Sequence, residues 1–255
     1  MAKRKKRKHM TPAEKRELRR LAEAHLHTEE GLGFGSKLRE AVFGFNDGLV
    51  STFAIVVGVT GAMLASKVIV LTGLANLVAG AFSMGLGSYL SLKSENEYYD
   101  KKLAEERAEI KRVPHIEREE IRILYMRKGF KGKLLDQIVK KITSNEELWL
   151  EVMMEDEFGL SNKGHTNPKF LGLIMGCSFI VGAIIPIVPF FFFDVAQGAL
   201  QITILVSLLG LFFAGIIKSF FAKEHWLKVG LEMVAVGGIA ATATFFIGEF
   251  FVGLV

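Results

Sequence analysis

Residues 95–157 read ENEYYDKKLAEERAEIKRVPHIEREEIRILYMRKGFKGKLLDQIVKKITSNEELWLEVMMEDE. This is a charged, helix-patterned stretch between two long hydrophobic ones, and it divides the chain into two membrane blocks joined by a water-soluble block. Within it Glu106 and Glu109 form one E-x-x-E pair, Glu117 and Glu120 a second, and Met153, Met154 and Glu157 an M-M-x-x-E cluster. Residues three or four apart share a helix face, so each pair directs its carboxylates the same way. Carboxylates held together repel unless protons or a cation sit between them. Oxygen ligands alone suit Ca²⁺ or Mg²⁺, whereas an adjacent thioether favours a softer ion such as Fe²⁺. E-x-x-E also occurs on ordinary solvated helices, and Met153 and Met154 equally suit the core of a small bundle. Spacing alone leaves both readings open.

Working outward, half of the 255 residues are hydrophobic and the mean hydropathy is +0.33, too apolar for an ordinary soluble domain and suited to a polytopic membrane protein. The charge lies almost entirely in 1–40 and 93–165, and in the second block acids and bases nearly balance. The single cysteine, Cys177, falls within a hydrophobic span, so disulfides play no part in the fold. The formal charge of +5 comes mainly from the N-terminus and does not indicate a nucleic-acid partner. No nucleotide-binding loop, nucleophile triad or H-E-x-x-H is present. No cleavable signal peptide is expected, because the basic start leads into a polar segment.

The basic run at 1–9 suits a topology signal that adheres to anionic headgroups, with a nucleic-acid contact as the weaker alternative. Thr11 to Glu30 reads as a polar helix with a thin stripe of Leu18, Leu21 and Leu26, followed by a flexible joint at Gly31, Gly33 and Gly35. His25, His27, Glu29 and Glu30 fit either a metal contact or a solvated helix end. The first span is Ala41 to Ala65 and carries Asp47. A carboxylate there costs about 2.5–3.5 kcal/mol on insertion scales and is seldom idle. Glu40 lies two turns earlier on nearly the same face, extending an acidic track inward. The second span, Val68 to Leu92, places Met84 among small residues, as packing or as a soft ligand.

From Lys93 the same helix is expected to run on into water as far as Arg112, with Pro114 ending it. Further helices follow near 116–128, 133–142 and 146–158. The remaining spans are Phe170 to Phe193, broken by Pro186 and Pro189, then Ala199 to Ile217 and Val229 to Val255; Glu232 and Glu249 of the last are interfacial. Lys and Arg concentrate in the N-terminal block, in 93–165 and in the 218–228 loop, which alternation puts together on the cytoplasmic side, with the C-terminus outside. Energy for any transport would come from an ion gradient.

The segment Arg39-Glu40-Ala41-Val42-Phe43-Gly44-Phe45-Asn46-Asp47-Gly48-Leu49-Val50-Ser51 resembles the opening signature of the vacuolar iron transporter family, and Gly80-Ala81-Phe82-Ser83-Met84-Gly85 resembles its second-span signature. The glutamate pairs and M-M-x-x-E fit its cytoplasmic metal-binding domain, and the likeness covers about 36–255. The resemblance implies an all-α polytopic membrane protein with five transmembrane helices and a cytoplasmic helical metal-binding domain inserted between the second and third spans. On that scheme 1–35 is a basic segment with an amphipathic helix, 36–92 holds spans one and two, 93–165 is the metal-binding domain, and 166–255 holds spans three to five.

It further implies a homodimer that exports Fe²⁺, with Mn²⁺, Zn²⁺ or Co²⁺ possible at the same sites, in exchange for protons. No organic cofactor and no enzymatic activity are implied. The path at the dimer interface would use Asp47, Met84 and Glu40, fed by Glu106, Glu109, Glu117, Glu120, Met153, Met154 and Glu157. Many members carry Gly-Glu-Phe or Gly-Glu-Tyr after the second-span methionine. This chain has Gly87-Ser88-Tyr89, so a carboxylate is missing, and Glu95 or Glu97 would have to replace it. Alternatives are a membrane-anchored metal sensor or store, and a di-iron enzyme, against which the lack of E-x-x-H counts. Short loops without targeting extensions lead to the expectation of a prokaryotic plasma membrane.

Overall fold

The structure, a computed structural model, describes residues 12, 15–17, 19–20, 29–62, 65–160, 167–193 and 196–252. The described positions between 12 and 20 are helical, as the Thr11–Glu30 expectation has it. The basic run 1–9, and His25 and His27 with their suggested metal contact, lie outside the described residues. From there the chain is helical throughout its described elements: α1 (Glu29–Gly61), α2 (Ser66–Arg112), α3 (Pro114–Arg127), α4 (Gly132–Ile142), α5 (Glu146–Asp156), α6 (Pro168–Ile187), a 3₁₀ turn (Val188–Phe191), α7 (Ala196–Ala222) and α8 (Trp226–Val252).

Five of these helices, α1, α2, α6, α7 and α8, are long and apolar enough to cross a bilayer. α1 is the central one, packing against α6, α8, α7 and α2. Glycine lets α6 come close: a Cβ at Gly48 would stand 2.1 Å from the Phe179 carbonyl oxygen, so only a hydrogen fits beside Asp47. Gly31, Gly33 and Gly35 lie inside α1, where a flexible joint was expected. Each glycine costs about 1 kcal/mol against alanine in a helix, which does not stop a helix already propagating from a membrane span. In the third span Pro189 has no N–H to donate, so the α-helix yields to the 3₁₀ turn, and Thr203 Oγ1 donates to the Pro186 carbonyl at 3.2 Å.

α2 is one unbroken helix of 47 residues, about 70 Å long. Its first half spans the membrane, and its second half stands about 30 Å out into water. Pro114 occupies the first turn of α3, which puts the corner at Val113. α3, α4 and α5 then fold against the projecting end around Ile110, Ile121, Leu135, Val139, Trp149 and Met153. Asn145 starts α5, its Oδ1 accepting from the N–H groups of Glu147 (2.9 Å) and Leu148 (3.1 Å). The spans outside α1 and α6 are less enclosed. α2 presents Leu71, Val78, Phe82, Leu86 and Leu90 outward as an exposed apolar stripe, as a bilayer-facing helix would.

Candidate metal-handling site

Two hydrogen bonds set the register of α1 against the membrane half of α2. Ser88 Oγ donates to Glu40 Oε2 at 3.4 Å, and Asn76 Nδ2 donates to Thr52 Oγ1 at 2.9 Å. The helices run in opposite senses, so Gly44 stands level with Met84, and Asp47 is about 4.5 Å further along the helix axis. Asp47 and Met84 therefore fall within one turn of the same height, between the two polar rungs. Glu40 is mostly enclosed, with 17% of its side chain exposed, and Arg39 Nη2 lies 3.7 Å from its Oε1. Met84 also packs against the apolar cluster of Ile69, Leu77 and Phe179. Ser88 supplies Glu40 with a hydroxyl donor.

The water-soluble bundle brings the glutamates of three helices together. Glu106 of α2 and Glu117 of α3 are almost fully buried, at 3% and 4% exposure. Their carboxyls are close neighbours, and two buried acids so placed cannot both stay ionised without a proton or a cation between them. Glu106 Oε1 and Glu117 Oε2 are buried with no partner among the described residues. Burial, then the charge of Glu117 and after it those of Glu157 and Glu109, pushes the Glu106 carboxyl up to about 8. Burial, and behind it the neighbouring Glu120 and Glu109, also raises Glu117. Glu157 lies at the exposed rim; partial burial and the charges of Glu120 and Glu109 raise it, and Lys102 opposes them.

Of the two methionines, Met153 belongs to the apolar core of the bundle, and that packing accounts for its burial. Met154 is as completely buried, at 1% exposure. Glu109 is held by Arg112 Nη2 at 3.3 Å. Among the described residues no three His, Cys, Asp or Glu side chains converge into a ready-made metal site. The glutamates are gathered but not closed, with protons where a cation would otherwise balance them. Such a group releases protons when a cation enters. Ser88, Asn76 with Thr52, and Lys102 did not emerge from the sequence as members of either site. A carboxamide within a span and a lysine one turn before Glu106 were the available signals.

A model of the VIT family matches residues 38–249 of the chain. Among similar proteins, "Vacuolar iron transporter" of Centaurea cyanus is 32% identical over 219 residues, covering 86% of this chain and 89% of its own length. "Vacuolar iron transporter 1" of Oryza sativa subsp. japonica is 32% identical over 221 residues, covering 87% and 88%. "Protein CCC1" of Saccharomyces cerevisiae is 28% identical over 217 residues, covering 82% and 67%. These organisms are eukaryotes and two of the names specify the vacuole, which overturns the expected prokaryotic plasma membrane. Loop length reports how a chain threads a bilayer, not which bilayer it threads. An integral membrane protein is what remains.

Proposed function

The chain belongs to the VIT family, and from that premise we propose that it carries Fe²⁺, with Mn²⁺ and related divalent transition metals as further cargo, out of the cytoplasm in exchange for protons. The bundle of α3, α4, α5 and the end of α2 is its cytoplasmic collector, and the working unit is a homodimer. The observation that carries this reading is the pair of buried acids, Glu106 and Glu117, with acceptor oxygens left unpartnered in water-soluble structure. A divalent cation displaces their proton and fills those acceptors. Met154 adds a soft contact beside Glu157, which disfavours Ca²⁺ and Mg²⁺.

Metal then passes to Glu40, whose carboxylate is tethered by Ser88, and on to Met84 and Asp47, about 6 Å and about 10 Å deeper in the spans. Protonation of Asp47 from the far side weakens the metal's hold and releases it, which couples outward metal to inward protons. This describes a transporter and not an enzyme. A sensor or store gains nothing from a carboxylate in its anchor, and Asp47 disfavours that alternative. The test is Fe²⁺ flux in proteoliposomes containing a pH dye. Metal addition should move protons in the opposite sense. Asp47→Asn should abolish both fluxes while Fe²⁺ binding at the collector, read from the Trp149 signal, stays within about twofold. Full transport by Asp47→Asn would remove Asp47 from the mechanism.

A further inference from the structure

Lys102 stands one turn before Glu106 and two turns before Glu109 on the same face of α2. Its Nζ lies 2.8 Å from Glu105 Oε2 and 5.3 Å from the ring centre of Phe158, the residue after Glu157. The ammonium is thereby held between α2 and the end of α5, at the rim of the glutamate group. Its charge counters the raised pKa of Glu157. Lys101 offers an internal comparison. It also approaches Glu105, at 3.8 Å, but its side chain is 72% exposed against 30% for Lys102.

We propose that Lys102 is the collector's built-in counter-cation, competing with an incoming divalent ion for the Glu105–Glu157 edge and limiting the affinity so that captured metal can leave. The inference rests on the metal-collecting role proposed above. The group is distinguished from a solvated acidic face by Glu106 Oε1 and Glu117 Oε2, which are buried and unpartnered among the described residues. A fixed ammonium about 6 Å from a divalent ion weakens its binding by roughly tenfold even at the dielectric constant of water. Lysine suits this role because its ammonium is a compact point charge with no lone pair, so it opposes a cation without becoming a ligand to it. A collector that binds too tightly would hold the ion and starve the membrane path, so a moderated affinity favours throughput.

The experiment is calorimetric titration of the full-length protein in detergent with Fe²⁺ under anaerobic conditions, repeated with Mn²⁺. Lys102→Leu should lower Kd by about tenfold. Lys102→Arg should keep Kd near wild type, and Lys101→Leu should stay within about twofold although it removes the same formal charge. In proteoliposomes Lys102→Leu should also reduce the maximal rate at saturating metal, because release becomes slower. Trp149 fluorescence and the melting midpoint verify that each variant retains the bundle, and Lys102→Ala serves if the leucine variant does not. Unchanged affinity in Lys102→Leu and Lys102→Ala would overturn the inference while leaving the collector intact. Equal tightening in Lys101→Leu would overturn it too, by reducing the effect to net charge. A wild-type protein that binds no metal would instead sink the collector itself.

Discussion

Replacing Glu106 by glutamine should remove most of the pH sensitivity of the bundle. In the folded protein Glu106 sits at about 8, against about 4.5 in an unfolded chain. A raised carboxyl makes the folded state the better proton binder between those values. Its contribution to stability is therefore complete below pH 4.5 and is lost as pH rises through 8. For one proton the slope approaches 1.4 kcal/mol per pH unit in the middle of that window. Glu117 is raised as well, and because the two acids interact, the proton release belongs to the pair and not to Glu106 alone. At pH 7 an acid with that pKa is about nine-tenths protonated, so metal entry should expel close to one proton from this position.

The assay is thermal unfolding of metal-free protein from pH 5 to pH 8, followed through Trp149, which is buried in the bundle core. The chain has two tryptophans, and a Trp226→Phe background makes the signal local. Wild type should melt progressively earlier as pH rises. Glu106→Gln retains an amide that can donate to Glu117; its melting temperature should fall less steeply with pH, the remainder coming from Glu117 and Glu157, and it should release about one proton fewer on binding Fe²⁺. A wild-type melting temperature that does not change between pH 5 and pH 8 would refute the buried-acid argument.

Ser88→Ala removes the donor to Glu40 and should raise the KM for Fe²⁺ transport by about fivefold, equivalent to about 1 kcal/mol for one hydrogen bond; Ser88→Glu adds a second carboxylate there and should slow release, which rapid-mixing flux measurements would detect. Asn145→Ala leaves two N–H groups at the start of α5 without their acceptor and should cost the bundle about 1 kcal/mol, read as a lower melting temperature. Gly48→Ala puts a carbon 2.1 Å from the Phe179 carbonyl oxygen, so α1 and α6 must separate. Lost yield of folded protein in detergent, by size-exclusion profile, is the expected outcome.

Much of this fold is visible in sequence because its main force is local in the chain. An apolar run long enough to cross a bilayer has few alternatives to a helix, and the continuation of α2 to Arg112 follows from good helix formers up to the proline corner. Gly31, Gly33 and Gly35 misled because composition suggests a joint, whereas helix continuity is decided by what lies on either side. The E-x-x-E spacing shows which carboxylates share a face, but not that Glu106 and Glu117 are buried while Glu109 is held by Arg112. That depends on how α2, α3 and α5 meet. The contact between Ser88 and Glu40 spans 48 positions, and no periodicity announces it. Met153 and Met154 are adjacent in the chain, yet only the assembled bundle assigns the first to its apolar core.

The uninterrupted course of α2 has a mechanical corollary. Between Ser88 and Arg112 there is neither glycine nor proline, so the segment carries no hinge and behaves as a stiff strut rooted beside Asp47 and Met84. Tilting it by about 5° where it leaves the lipid would swing the glutamate-bearing tip by nearly 3 Å over its ~30 Å reach. The leverage runs both ways, and a cation drawing Glu106 and Glu117 towards Glu157 would apply torque to the helix that bears Ser88 and Met84.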